Sequence, residues 1–311
     1  MKNSDFIQMN QCSIYSIKFP TNQFVETVES LRLDGGEYFN AEVITNPMTG
    51  KKVHKLENGF FFTLRINFKK LTKELISGEV FELKQKASDE TKDQMSEKEW
   101  VAEAKSRLFA TVPDSVEVVN VFYSPEKELL IANKSSNNCK TVLILLIERF
   151  GMAGFRSIVV LEEKHGLTTR LQNYLTDYTP MFKHLRFENE AALRKQSGED
   201  EVFLLCRHLN DEEKRQKAHQ ALEQGYKVRS VLMEFNDGKF QCSFKLDAGL
   251  KIRNMKFDEY RDVASQLNGH KVAAKGAIMV EYLDRQFEML LKIAESTVLE
   301  FVQETELENF V

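Results

Sequence analysis

Few residue groupings in this chain have types and spacings suited to chemistry. Pro113-Asp114 lies upstream of Glu162-Glu163-Lys164, which ends an apolar run. That is the residue set with which Mg²⁺-dependent nucleases hold metal and orient water. A hairpin and a helix separate the two parts, however, and Asp114 precedes its strand, so the residues favour a solvated strand end over catalysis. Thr49-Gly50-Lys51-Lys52 lacks the leading glycine and the hydroxyl after lysine that a phosphate-cradling loop requires, and it reads as a turn. No GxSxG elbow is present. Cys12, Cys139, Cys206 and Cys242 show no CxxC spacing and lie in or beside apolar runs, which predicts buried thiols. The histidines form no HxxH or HxxxH pair, so a structural metal is not expected, and catalysis has no positive support in the residues.

The cationic residues are better organised. Arg65, Lys69, Lys70 and Lys73 follow a Phe-rich strand, and Lys214, Arg215 and Lys217 share a helix. Lys227 and Arg229 open a β-meander that Lys245, Lys251, Arg253 and Lys256 continue. The formal net charge is −4, so total charge gives no support to nucleic-acid binding. A polyanion feels only the surface it touches, and distribution has to decide. Phe60, Phe61, Phe62 and Phe68 suggest a base-stacking platform. Consecutive residues of a strand point to opposite faces, though, and the core is the better account of them.

Several elements must position these groups. A strand over 12–19 is followed by a helix from Asn22 that Asp34-Gly35-Gly36 ends. The turn-rich stretch 37–58 is expected to be a long hairpin connection, followed by a strand over 59–68 and a short helix near 71–77. Residues 84–98 hold almost nothing apolar and predict a solvated arm. Ser96 with Glu99 fits a capping box for a helix burying Trp100, Ala104 and Leu108. Strands over 116–123 and 129–133, a helix over 138–150 and a strand over 157–162 complete a second half. From Leu167 the spacing of Leu171, Leu175, Phe182 and Leu193 predicts helix, ending at a polar loop over 195–200. A short strand over 202–205 precedes a charged helix capped by Asn210 with Glu213. Phe240, Cys242, Phe244 and Leu246 then alternate with polar residues between two turns, Asn236-Asp237-Gly238 and Asp247-Ala248-Gly249. This defines a meander over 227–236, 239–246 and 250–257. Asp258 caps the following helix, and a long helix over 280–303 closes the chain, with Phe301 and Phe310 as candidates for a dimer contact or, equally, for packing within the chain.

The meander, its exit Met255-Lys256-Phe257-Asp258-Glu259-Tyr260-Arg261-Asp262, and the closing helix resemble the C-terminal part of the RdgC family of bacterial recombination-associated proteins. A second block, 97–151, repeats that family's order of helix, strand pair and helix closed by Gly151. The resemblance implies an α/β protein that dimerises into a ring around duplex DNA. It further implies binding with little sequence preference, restraint of RecA-driven recombination by occupying DNA, and no cofactor. A ring lets weak phosphate contacts act together. It also implies DNA contacts from a finger-like loop before the charged helix, which by order is Cys206-Arg207-His208. The family's wedging phenylalanine corresponds in place to Leu108-Phe109-Ala110-Thr111-Val112-Pro113, where the arginine of its turn is absent.

The expected fold is mixed α/β: two βαββ-like halves, a C-terminal antiparallel meander and a long closing helix, in a ring-shaped homodimer. Residues 1–83 and 112–165 form a central domain, 84–111 a helical arm, 166–225 a helical and finger region, and 226–311 the meander with its helix. Arg207, His208, Lys214, Arg215, Lys227, Arg229, Lys251, Arg253 and Lys256 are the candidate DNA contacts. No membrane-length apolar segment is present and the start lacks the apolar core of a secretory signal, so a cytoplasmic protein is expected, and the resemblance implies a nucleoid-associated one. Two alternatives stay open: a nuclease using Asp114, Glu162 and Lys164, and a protein-interaction scaffold docking through the closing helix.

Overall fold

The computed structural model describes residues 6–7, 9–34, 39–88, 91, 94–134, 136–151, 156–157, 166–198, 200–249, 251–257, 259–269 and 272–301. In chain order the first half runs β1 (Gln11–Ser16), α1 (Phe24–Glu29), β2 (Arg32–Asp34), β3 (Phe39–Val43), β4 (Val53–Leu56), β5 (Gly59–Lys69), α2 (Lys73–Lys86), α3 (Glu97–Thr111), β6 (Asp114–Ser124), β7 (Leu129–Ala132), α4 (Asn137–Arg149) and β8 (Arg156–Ser157). The second half adds α5 (Leu167–Asp177), β9 (Leu185–Ser197), β10 (Asp200–Arg207), α6 (Glu212–Glu223), β11 (Lys227–Asn236), β12 (Gln241–Asp247), β13 (Ile252–Phe257), α7 (Tyr260–Gly269) and α8 (Val272–Phe301).

The strands join one sheet in the order β10-β9-β11-β12-β13-β1-β7-β6-β5-β3-β2, with β4 also on β5 and β8 also on β1. Every pairing among the described residues is antiparallel. The fold is therefore mixed α/β, with the expected meander and closing helix in place. β1 joins its two parts: Gln11 and Cys12 pair with β13, while Ser13 to Ser16 pair with β7.

Burial differs between the two parts for a reason visible in the strands. Residues 60–64 of β5, 118–123 of β6 and all of β7 are largely apolar runs, as strands covered on both faces must be. Phe61, Phe122 and Ile131 point into a core shared with α8, and Phe62, Tyr123 and Leu130 into a second core under α1 and α4. Strands β9, β11, β12 and β13 instead alternate. They bury only one row, against α5, α6, α7 and α8, and among the described residues nothing covers the other face. Helix α8 seats both parts: Phe287 stacks on Phe122 at 4.8 Å and 12°. Lys292 and Lys239 tie the same helix to the β11–β12 hairpin through Asp237 (2.6 Å) and Glu288 (2.8 Å).

Several expectations hold and several are corrected. The capping box forms, with Glu99 N–H donating to Ser96 Oγ at 3.4 Å and Ser96 N–H to Glu99 Oε2 at 2.7 Å, and Trp100, Ala104 and Leu108 are buried. Phe61 and Phe62 are core, so the stacking platform is not built. Stretch 37–58 contains two strands, β3 and β4, where a connection was expected. The helix expected to run to Asp34 ends at Glu29, and Arg32–Asp34 is a strand paired with β3. The short helix near 71–77 extends to Lys86 and packs Val80 and Leu83 against Trp100.

The helical reading beyond Asp177 is wrong, because Leu185, Phe187, Ala191 and Leu193 are the buried row of β9. Asn189, at φ 56, and a register shift against β11 interrupt its period. Asp211, not Asn210, caps α6, accepting from Lys214 N–H at 3.1 Å. Asp258 and Phe310 lie outside the described residues, as do Glu162, Glu163 and Lys164. No helix among the described residues is long and apolar enough to cross a membrane.

Candidate nucleic-acid interface

The open face of β9 to β13 gathers most of the candidate DNA contacts. On β12, Cys242, Phe244 and Leu246 point to the core and Ser243, Lys245 and Asp247 to the open side. On β13, Ile252 and Met255 are buried, while Arg253 and Lys256 are exposed. Asn254, at φ 54, absorbs the extra residue between those rows. Arg207 from β10 and Arg194, Glu190 and Arg186 from β9 extend the same surface.

Register then creates two unfavourable juxtapositions. Lys245 sits directly opposite Arg253, and Lys227 directly opposite Arg194. Like charges in cross-strand pairs destabilise a sheet. Nearby carboxylates relieve part of the cost. Glu190 accepts from Lys245 Nζ at 2.8 Å and from Arg207 Nε at 3.2 Å, and these partners, Lys245 foremost, hold its carboxyl below the usual carboxylate value. Arg253 Nε is 2.8 Å from Asp247 Oδ2, and Arg194 Nη1 is 3.3 Å from Glu201 Oε1. Asp247 behaves differently. Burial raises its pKa and outweighs the pull of Arg253, Arg229, Lys251 and Lys245, all of which act on it. Asp247 thus faces four cations, of which Arg253 bonds it directly and Lys245 also bonds Glu190. The Arg229 guanidinium lies 4.8 Å over the ring of Phe203, and Lys256 stands exposed opposite Ser243.

The remaining candidates do not join this surface. Helix α6 packs Ala218, Ala221 and Leu222 against the buried side of the sheet, so Lys214 and Arg215 belong to the other layer. The Arg215 guanidinium covers the Tyr178 ring at 4.2 Å, and its buried Nη1 finds no hydrogen-bond partner among the described residues. His208 takes a left-handed conformation (φ 56), and its carbonyl accepts from Asp211 N–H at 2.9 Å, which turns β10 into α6. The expected finger is therefore the end of a β9–β10 hairpin. Lys245, Glu190 and Asp247 were absent from the sequence-derived contacts. Lys245 was already visible on the polar row of its strand, whereas the two carboxylates are recognisable only once register is known.

Of the nuclease set, only Asp114 lies among the described residues. Asp114 opens β6 and pairs with Lys69 at 2.9 Å, and Lys69 also donates to the Val112 carbonyl at 2.6 Å. At the other basic turn, Lys52 donates to the Glu29 carbonyl and Thr49 Oγ1 bonds His54 Nε2 at 2.6 Å. Compared with known proteins, the chain matches no family model and no curated protein.

Proposed function

We propose that this chain binds double-stranded DNA through phosphate contacts, without sequence preference and without catalysing a reaction. The open face of β9 to β13 is its contact surface. The observation that carries this reading is the pair of like-charged cross-strand couples, Lys245 with Arg253 and Lys227 with Arg194, on an uncovered sheet face. Such couples cost folding stability, and a polyanion lying across both lowers that cost. Along the strands the two couples are separated by roughly 15–20 Å, a span one duplex bridges. The resemblance to RdgC-like proteins extends the proposal to a homodimer that restrains RecA-driven recombination by occupying DNA.

Fluorescence anisotropy on two duplexes of unrelated sequence, over rising salt, tests it. Affinity should fall steeply and equally for both. The double variant Arg229→Ala with Lys256→Ala should reduce the slope of log affinity against log salt by about two. Lys214→Ala, on the opposite layer, should leave that slope unchanged. Absence of binding at low salt, or an affinity indifferent to salt, would refute the reading.

A further inference from the structure

Among the described residues, strand β10 ends the sheet and has a partner, β9, on one side only. None of its residues is buried, and Val202, Phe203, Leu204 and Leu205 are 41%, 53%, 38% and 50% exposed. Phe203 and Leu205 share the open face with Arg207, and Val202 and Leu204 occupy the reverse. Edge strands are usually guarded by a central charge, a proline or a covering element. This one has charge only at its ends: Asp200 and Glu201 at the start, Arg207 at the finish. An apolar centre with acid before it and base after it is complementary to its own reverse.

We propose that β10 pairs antiparallel with β10 of a second copy, fusing two sheets edge to edge about a twofold axis. Directly opposed residues in such a pair lie on the same face, so odd positions meet odd and even meet even. With the axis at Leu204, Glu201 meets the second copy's Arg207, Phe203 meets its Leu205, Val202 meets its Cys206, and Leu204 meets itself. Moving the axis to Phe203 sets Glu201 against Leu205, and moving it to Leu205 sets Phe203 against Arg207. The Leu204 axis alone matches charge with opposite charge and apolar with apolar. It also links two existing ion pairs, Glu190 with Arg207 (3.2 Å) and Arg194 with Glu201 (3.3 Å), into one row of alternating sign across both copies. The pairing rests on the homodimer of the proposed function and names the strand that joins its copies; it needs no nucleic acid and is independent of the DNA contacts.

The test is sedimentation velocity over a wide concentration range without DNA, together with disulfide trapping. The parent protein should sediment as a dimer that dissociates on dilution. Leu204→Lys, at a partly exposed position, should sediment as a monomer with an unchanged circular-dichroism spectrum. In a Cys206→Ser background, Leu204→Cys should form a covalent dimer on mild oxidation, because opposed Cβ atoms are about 4.5–5.5 Å apart, close to disulfide reach. Phe203→Cys should not. A parent that stays monomeric, a dimer unaffected by Leu204→Lys, equal trapping at 203 and 204, or a monomer that instead captures an extended peptide would each overturn the proposal. Each result is obtained without DNA, so this failure is distinguishable from failure of DNA binding.

Discussion

Glu190 is the counter-ion for two cations on different strands, Lys245 and Arg207, and that double role makes it testable by pH. Its folded pKa lies below the ordinary 4.5. A carboxylate depressed in this way adds stability above its unfolded pKa and loses it as pH falls through the folded one. Glu190→Gln should therefore cost about 1–2 kcal/mol near neutral pH, measured by urea unfolding, with the gap to the parent closing as pH drops below 4.5. A gap that persists undiminished in acid would show that the carboxylate's charge is not what matters. The same residue marks the limit of sequence reading at this scale. Alternation alone places Lys245 on a polar row, but the clash with Arg253 depends on the register of the β12–β13 hairpin, and its relief by Glu190 on a strand 55 residues away in sequence. Lys214 and Arg215 looked equally cationic in sequence, which carries no sign that α6 covers the opposite side of the sheet.

At the scale of elements, legibility followed the strength of the local signal. Helix α3 was readable from its capping box and buried stripe, and β11 and β12 from alternation between Asx-Gly turns, because in both cases the residues that set the structure are sequence neighbours. Strand β9 was not readable. Small Ala191 fills part of its inward row, Asn189 interrupts its period, and the leucine spacing upstream continues into it by chance. Helix α8 was recognised in part, and what it packs against was not recognised at all. Gly276 is one determinant, since a Cβ there would lie 2.9 Å from the Met48 carbonyl oxygen, so the loop between β3 and β4 closes directly onto the helix. Phe287, fully buried against Phe122, is another. Phe287→Ala should cost about 3–5 kcal/mol, combining lost transfer energy with an unfilled cavity, while Phe287→Leu should cost clearly less. Equilibrium urea unfolding measures both, and a loss under about 1 kcal/mol for the alanine variant would mean that α8 does not seat the sheet.

For the molecule as a whole, the deciding feature is that its two parts share β1 and α8. A six-residue strand whose first two residues pair with the meander and whose last four pair with the N-terminal strands cannot be released by one part while held by the other without loss of ladder hydrogen bonds. The core under α8 likewise contains Ile14, Phe61 and Phe122 from one part and Cys242, Phe244 and Leu246 from the other. Chains of this length commonly unfold in steps because their domains have separate cores. Here the shared strand and core predict cooperation: calorimetry and circular dichroism should give a single transition with coincident midpoints, and Phe287→Ala should lower it without splitting it. Two resolved transitions would show that the parts are stable alone and that β1 belongs energetically to only one. The outcome also bears on the open face, whose cation pairs on β9, β11, β12 and β13 hold their spacing only while that sheet stays continuous. If the meander melted separately, DNA affinity would vanish at its midpoint while much of the helical signal survived; in a single cooperative unit, binding and structure are lost together.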